Sequence, residues 1–222
     1  MNTGTPPDSA QGTAAGERLA ALLAEAALPA LDPVVLRAFE SYLALLLRWN
    51  SRINLTAIRD EDGILKRHFV ESIACACALP ENIATLLDFG SGAGFPGIPI
   101  ALCRPSILVT LAESQSKKAA FLQEAVRVLG LSTKVHGARA DGLAVQFDCV
   151  TLRAVDRMSE AVTAAGELVS PGGYLAVMTT QGELRAVQSA AGPGFRWDSQ
   201  HPLPGSEVQV PDGRILAIAT RV

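Results

Sequence analysis

Several features that identify a class of protein at once are missing from this sequence. It contains only three histidines and four cysteines, and no two cysteines form a Cys-x-x-Cys pair. Structural zinc sites usually show such paired spacings, so we expect no metal site. The cysteines lie in apolar segments, as is typical of buried thiols in a reducing compartment: Cys75, Cys77, Cys103 and Cys149.

Long apolar runs and an excess of basic charge are missing as well. No stretch reaches the roughly 18 apolar residues of a membrane span, and residues 1–17 lack the apolar region of a secretory signal. We therefore expect a cytoplasmic protein without membrane contacts, and we expect it to be a monomer. With 19 basic and 22 acidic residues the net charge is −3, so a nucleic acid would have to bind a local basic face.

The first 80 residues predict a tail followed by a helical region. Residues 1–16 are rich in Gly, Pro, Ser and Thr, which predicts a flexible tail. Residues 17–80 predict helices, and Asp32-Pro33 is a good helix start because Asp caps the N-terminus and Pro suits the first turn. The next apolar residues fall on one helical face, which we expect to pack on the rest of the protein: Leu36, Phe39, Leu43 and Leu46.

Residues 81–222 predict a domain in which short apolar runs alternate with amphipathic helices. The runs that predict strands are 84–89, 107–111, 147–152 and 174–178, with weaker candidates at 195–201 and 214–220 and a helix over 116–129. Such alternation indicates βαβ units. We therefore predict an α/β, Rossmann-like fold with a mostly parallel sheet, an antiparallel hairpin at its edge and an N-terminal helical region.

A glycine-rich turn follows the first predicted strand, where ligands bind in open α/β sheets. Gly92-x-Gly94-x-x-Gly97 matches the dinucleotide fingerprint, which is a weak signal on its own. Asp88, two residues before Gly90, favours another cofactor, because its carboxylate would repel a pyrophosphate but suits the ammonium and sulfonium of S-adenosylmethionine. A nicotinamide-dependent oxidoreductase and a glycine turn without a ligand stay open as alternatives.

Two further acids follow the next predicted strands. Glu113 closes the second strand, where a carboxylate can accept both ribose hydroxyls of either cofactor. Asp141, in the pair Ala140-Asp141, follows the short apolar stretch 133–136 and could accept from an adenine amino group. For Asp141 a solvated loop position is an equal alternative.

The end of the fourth predicted strand should face the methyl acceptor, and Arg153 lies there. No Asn-Pro-Pro-Tyr-like cluster is present to bind an exocyclic amine. Cys149 lies in mid-strand, which does not suit the exposed nucleophile that methylation of a pyrimidine carbon needs. Arg153 is therefore the candidate at the acceptor side, with a surface ion pair as its alternative role.

A set of local motifs is distributed over residues 33–182. They are Arg48-Trp49-Asn50, Ile53-Asn54-Leu55-Thr56, His68-Phe69-Val70-Glu71-Ser72, the run from Asp88 to Pro99, Glu113-Ser114-x-x-Lys117-Lys118, Arg139-Ala140-Asp141 and Arg153-Ala154. Together they resemble the bacterial 16S ribosomal RNA guanine-N7 methyltransferases, a family called RsmG and formerly GidB. The resemblance implies a class I methyltransferase that uses S-adenosylmethionine and leaves S-adenosylhomocysteine.

The resemblance also implies roles for individual residues. Gly90 and Phe95 would line the cofactor, Ala140 and Asp141 would contact its adenine end, and Arg153 would border the active site. With the two acids and the glycine turn, the predicted cofactor-binding residues are Asp88, Gly90, Gly92, Phe95, Glu113, Ala140, Asp141 and Arg153.

The implied reaction fits the residues. Guanine N7 carries an in-plane lone pair and needs no deprotonation, so an in-line displacement needs positioning and electrostatics but no general base. The sequence shows no obvious catalytic acid, base or nucleophile. Two segments depart from the family pattern: Thr179-Thr180-Gln181-Gly182 stands where a Lys-Gly pair is usual, and Val155 stands where a phenylalanine often follows Arg-Ala.

The implied partner is 16S ribosomal RNA, within the small ribosomal subunit or a late precursor of it. RNA phosphates would need basic side chains around the cofactor cleft, and shape would give the choice of site. His68 could stack on the substrate or donate to it, with an inter-domain hydrogen bond as the alternative. A non-catalytic nucleotide-binding module in an RNA assembly stays a further possibility. The candidate RNA contacts are Arg48, Arg52, Lys66, Arg67, His68, Lys117, Lys118, Arg139, Arg153 and Arg157.

Overall fold

The computed structural model describes residues 13–155, 157–206 and 213–222. The chain begins with a helical region and continues into an α/β domain. The elements of the helical region are α1 (Ala14–Glu25), α2 (Pro33–Asn50), α3 (Glu61–Ile64), a π-helical turn (Leu65–Val70) and α4 (Glu71–Ala78).

Helix α2 has the start and the apolar face that its sequence predicts. Pro33 is its first residue, and the Asp32 carboxylate accepts a hydrogen bond from the backbone N–H of Val34 at 2.7 Å. The predicted apolar face is confirmed, since Phe39, Leu43 and Leu46 are buried and Leu36 packs against the same core.

Two boundaries in this region differ from the sequence-based expectation. Helix α1 begins at Ala14, so the end of the stretch assigned to a tail is helical, while residues 1–12 of that predicted tail lie outside the described residues. The region 17–80 is not helical throughout, because residues 51–60 form a loop between α2 and α3. The Asn50 side chain holds this loop, with its Oδ1 accepting from the backbone N–H groups of Leu55 and Thr56.

Seven strands form one sheet in the order β3-β2-β1-β4-β5-β7-β6. The first five strands in that order run parallel to one another, whereas β7 is antiparallel to both β5 and β6. The predicted α/β fold with an antiparallel edge hairpin is therefore confirmed. The strands are β1 (Thr85–Phe89), β2 (Leu108–Ala112), β3 (Lys134–His136), β4 (Phe147–Arg153), β5 (Val169–Thr180), β6 (Phe195–Pro202) and β7 (Arg214–Arg221).

The remaining helices connect the strands and cover the sheet. They are α5 (Gly97–Cys103), α6 (Ser116–Val128), a 3-10 turn (Ala140–Gly142), α7 (Met158–Glu167) and α8 (Leu184–Ala191). None of the helices in the described ranges is both long enough and apolar enough to cross a membrane. Within the same ranges no three metal-ligating side chains come together.

One hydrophobic core joins the helical region to the sheet. Tyr42 of α2 stacks on Phe69 with ring centroids 5.2 Å apart and also meets Phe95, which belongs to the glycine-rich turn after β1. The same buried cluster takes in Leu86 of β1. The helical region therefore packs against the turn that follows β1 and covers one side of the strand ends.

Candidate active site at the strand ends

A cavity of about 590 Å³ opens at the carboxyl ends of β1, β2 and β4, and we call it the strand-end cavity. Ligands of open α/β sheets bind in this position. The loop between α2 and α3 closes one side of it with residues 55–58. Seven of the predicted cofactor residues lie in its wall: Gly90, Gly92, Phe95, Glu113, Ala140, Asp141 and Arg153.

The glycine-rich turn after β1 has a backbone that side chains would disturb. Gly90 has a φ of +73°, and a Cβ there would lie 2.5 Å from Cγ1 of Val155. The backbone N–H groups of Gly90 and Ser91 both donate to the carbonyl of Ala112 at the end of β2, at 3.0 and 2.9 Å. The turn therefore passes close to two neighbouring strand ends, and the absence of a side chain at Gly90 keeps this part of the cavity open.

Asp88 is not part of the cavity wall, which differs from the direct contact with the cofactor that the sequence suggests. Its carboxylate is fully buried and accepts from the backbone N–H of Gly97 at 3.1 Å and from Oγ1 of Thr151 at 3.0 Å. Burial raises the pKa of Asp88 to about 6, against the effect of these hydrogen bonds. In this structure Asp88 ties the glycine-rich turn to β4 and to the start of α5.

Glu113 lies in the wall, where the sequence places it. Its side chain is 6% exposed, and its two oxygens accept from the backbone N–H groups of Gly92 at 3.0 Å and Gln115 at 2.7 Å. Each carboxylate oxygen has a second lone pair, so the group can still accept from a ligand in the cavity.

Asp141 and Ala140 also lie in the wall, on the 3-10 turn after β3. The Asp141 carboxylate pairs with the Arg139 guanidinium, with 2.6 Å between Nη2 and Oδ2, and this hydrogen bond lowers the pKa of Asp141. Arg139, which the sequence offers as an RNA contact, therefore lines the same end of the cavity as the predicted adenine contact.

Arg153 at the end of β4 is held by a carboxylate to which the sequence gave no role. Its guanidinium lies 2.7 Å from Oε2 of Glu71, and it also donates to the Arg67 carbonyl. Glu71 is only 1% exposed and accepts in addition from Arg67 at 3.1 Å and from Arg214 of β7 at 2.6 Å. Three arginines thus share one buried carboxylate, which offsets only part of their combined positive charge.

His68 lines the strand-end cavity beside Arg153. Its Nε2 and Thr56 Oγ1 are 2.7 Å apart, and Nδ1 is buried without a hydrogen-bond partner in the described part of the chain. Burial, followed by the charges of Arg153 and Arg67, lowers the pKa of His68 to about 3. The imidazole is therefore neutral at physiological pH, with Nε2 on Thr56 and Nδ1 buried away from the cavity.

The structure separates the candidate RNA contacts into two groups. Five of the cations form ion pairs with carboxylates of the chain itself: Arg48 with Glu124, Lys66 with Asp62, Arg67 with Glu71, Arg139 with Asp141, and Arg157 with Glu160. The other three that were proposed only as RNA contacts line a second cavity beside the first: Arg52, Lys117 and Lys118.

The Trp-Asn motif has a structural role that the sequence alone did not reveal. The Trp49 indole N–H donates to Oε2 of Glu124 at 2.9 Å, and Arg48 reaches the other oxygen of the same carboxylate at 2.6 Å. Glu124 belongs to α6, so this contact fastens α2 to the α/β domain. Asn50, the next residue, holds the 51–60 loop by the two backbone hydrogen bonds described above.

The two departures from the family pattern have different places in the structure. The hydroxyls of Thr179 and Thr180 both donate to Oε2 of Glu183 at 3.1 Å, just before α8, and neither threonine lines the strand-end cavity. Val155 does line it and lies against Gly90.

Comparison with known proteins agrees with this geometry. The chain is 39% identical over 208 residues to Ribosomal RNA small subunit methyltransferase G of Xanthomonas campestris, covering 91% of this chain and 92% of that one. It is 45% identical over 152 residues to the protein of the same name from Stenotrophomonas maltophilia, covering 67% and 69%. The fold matches that of M. jannaschii TYW2, crystallised with AdoMet, with a TM-score of 0.54, 14% identity and coverage of 69% and 76%.

The family comparison covers most of the described chain. The model of the family GidB, rRNA small subunit methyltransferase G, matches residues 35–191, which include α2 from its third residue, the 51–60 loop and the whole strand-end cavity. With these relatives and this match, the chain belongs to the rRNA small subunit methyltransferase G family.

Proposed function

We propose that this chain transfers the methyl group of S-adenosylmethionine to N7 of a guanine in 16S ribosomal RNA. The family accounts for the rRNA methyltransferase activity and its cofactor, and it disfavours the oxidoreductase that the glycine pattern alone left open. The observation that carries the choice of N7 is the chemistry around Arg153. Arg153 stays protonated and His68 has a pKa of about 3, so neither is suited to take a proton from the acceptor at physiological pH.

The residues of the strand-end cavity fit the proposed cofactor. Gly90 leaves space that a Cβ would fill, and Glu113 keeps free lone pairs in the wall for the ribose hydroxyls. Ala140 and Asp141 would meet the adenine, and Phe95 would lie beside the methionine part. We assign Asp88 an indirect role, since it holds the glycine-rich turn from behind.

Methyl transfer to N7 needs no proton transfer. The N7 lone pair forms a bond to the methyl carbon, the carbon–sulfur bond breaks, and its electron pair stays on sulfur. Positive charge thereby moves from the sulfonium to the guanine ring. A further cation at the acceptor side would oppose this movement, whereas here His68 is neutral and Glu71 offsets part of the charge of Arg153 and its two neighbouring arginines. The chain then contributes positioning and a suitable field, and S-adenosylhomocysteine is released.

N7 lies on the Hoogsteen edge, which the deep major groove of an RNA helix hides. The target guanine must therefore be displayed from a loop or splayed out of its stack. This favours the folded small ribosomal subunit, or a late precursor of it, over a short oligonucleotide. We propose that the protein acts on it as a monomer in the cytoplasm, and light scattering of the pure protein tests the monomer.

The experiment that tests the proposed function is radiolabelled methyl transfer to small ribosomal subunits, followed by nucleoside analysis. We expect 7-methylguanosine as the product. A target guanosine replaced by 7-deazaguanosine keeps its base-pairing edge but lacks the accepting nitrogen, so transfer should vanish while RNA binding persists. Undiminished transfer to the deaza substrate would show that another atom is methylated.

A further inference from the structure

A second cavity, of about 380 Å³, lies beside the strand-end cavity, and we call it the loop cavity. One side is formed by the end of α2 and the 51–60 loop, and the other by the start of α6. Its volume falls within the range of about 300–1,000 Å³ that is usual for ligand sites. Nothing in the cofactor geometry requires this cavity.

The loop cavity is lined by four cations and, among the residues that the structure describes, by no carboxylate. The cations are Arg52, Arg59, Lys117 and Lys118. None of them forms an ion pair within the ranges 13–155, 157–206 and 213–222, in contrast to the five paired candidates named above. In a chain with a net charge of −3, this is a local concentration of uncompensated positive charge.

Part of the wall of the loop cavity is held in place by contacts that do not depend on a ligand. Asn50 fixes the 51–60 loop through the N–H groups of Leu55 and Thr56. Within the loop, the Arg59 guanidinium donates to Oδ1 of Asn54 at 3.0 Å. Lys117 lies in the first turn of the 13-residue helix α6, whose N-terminal N–H groups add partial positive charge.

The loop cavity and the strand-end cavity share a boundary. Gln115 and Lys118 line both of them. The 51–60 loop also serves both, because residues 55–58 face the strand-end cavity while Arg52, Asn54 and Arg59 face the loop cavity. A polymer with a base in the first cavity can therefore place a neighbouring group in the second.

We propose that the loop cavity binds a phosphodiester of the RNA strand next to the methylated guanosine. The ligand is anionic because the wall offers cations, neutral polar groups and the apolar Ile53 but no carboxylate among the described residues, and it is adjacent to the target because the two cavities share Gln115 and Lys118. This inference rests on the proposed function for the identity of the polymer. The proposal adds Arg59 to the RNA contacts. It does not require the five ion-paired cations to contact RNA.

The test compares two double variants of equal charge change. R52Q/R59Q removes two cations of the loop cavity, and R37Q/R185Q removes two exposed arginines that line neither cavity. Binding of a 16S ribosomal RNA fragment is measured as a function of salt concentration. We expect R52Q/R59Q to weaken binding at least about tenfold and to reduce the salt slope by about 1. R37Q/R185Q should behave like the wild type, and cofactor affinity by calorimetry should be unchanged in both.

Phosphate ethylation interference then locates the contact. With wild-type protein, ethylation of a phosphate next to the target guanosine should block binding, and with R52Q/R59Q that interference should disappear. K117Q, at an exposed helix start, should show the same loss if the double variant fails to fold. Equal salt slopes for R52Q/R59Q and R37Q/R185Q, or interference only at distant phosphates, would overturn the assignment. A wild-type enzyme that makes no 7-methylguanosine would instead overturn the proposed function, whatever the slopes.

Discussion

The imidazole of His68 lies flat against the ring of Phe95, with the ring centroids 4.7 Å apart and the planes 18° from parallel. His68 comes from the helical region and Phe95 from the glycine-rich turn after β1. Close by, the Tyr42 hydroxyl donates to the carbonyl of Ala93 in the same turn. The proposed cofactor turn is therefore held from both halves of the chain, and its properties should respond to changes in either half.

The neutral state of His68 predicts a pH dependence of stability. Its pKa in the folded protein is about 3, below the ordinary 6.5, so the unfolded chain binds this proton first on acidification. The contribution of neutral His68 to stability is thus complete above pH 6.5 and is lost as the pH falls toward 3. Between pH 6.5 and pH 5 the wild type should lose about 2 kcal/mol more free energy of unfolding than His68→Gln. Urea unfolding measures this free energy in both proteins at both pH values. An equal loss in the wild type and in His68→Gln would contradict the prediction.

Replacement of Gly90 by alanine should weaken cofactor binding. In Gly90→Ala the left-handed backbone costs about 1–2 kcal/mol, and the Cβ meets Val155 at 2.5 Å. Calorimetry should show at least about tenfold weaker binding of S-adenosylmethionine. Gly90→Ala combined with Val155→Ala removes the collision but not the backbone strain, so it should recover part of the loss. Gly194→Ala, whose Cβ would meet nothing within 4 Å, is the control and should bind normally.

Glu113→Ala should weaken cofactor binding by about 1.5–3 kcal/mol, the usual contribution of hydrogen bonds to a charged group. Part of the effect comes through the glycine-rich turn, because Glu113 also accepts from the N–H of Gly92. Glu113→Gln keeps an acceptor for that N–H and should fall between alanine and the wild type. Calorimetric titration measures both variants. An unchanged dissociation constant in Glu113→Ala would show that the carboxylate does not bind the ribose.

Glu71→Gln should lower both stability and turnover. The change leaves Arg153, whose side chain is only 12% exposed, and two further arginines without their shared carboxylate, which should cost about 3–5 kcal/mol of unfolding free energy. Turnover should fall further than cofactor affinity, because Arg153 borders the proposed acceptor side. Glu160→Gln breaks an exposed pair with Arg157 and should cost less than about 1 kcal/mol. If the two variants unfold alike in urea, the buried cluster around Glu71 has no special role.

Much of the fold could be predicted because it depends on local pattern. The apolar runs place β1, β4 and the final hairpin to within a few residues, since buried strands need such runs and turns need glycine or proline. The loop at 51–60 was missed, although the polar Ser51-Arg52 pair breaks the helical periodicity there. Asn50 was the signal, because a buried amide at a helix end commonly holds backbone N–H groups.

The sequence predicts which positions lie at the strand ends. It does not predict which of their side chains face the cavity. Glu113 and Asp88 both belong to strand ends, yet only Glu113 lies in the cavity wall, and spacing along the chain does not tell these cases apart. The ion pairs of Glu71 were not predicted because two of its partners are remote in sequence. Arg153 and Arg214 lie 82 and 143 residues away. Such pairings depend on the tertiary fold and leave no local pattern.

The continuous core between the helical region and the sheet makes the two halves of this protein inseparable. Because Tyr42 and His68 hold the turn that carries Phe95, a fragment that starts at β1 would expose an apolar face and lose one wall of its own cleft. We therefore expect folding and assembly of the cleft to be a single cooperative event, with one calorimetric transition for both halves. The Rossmann-like half is therefore not a transplantable module, and a chimera would have to carry its helices along with it.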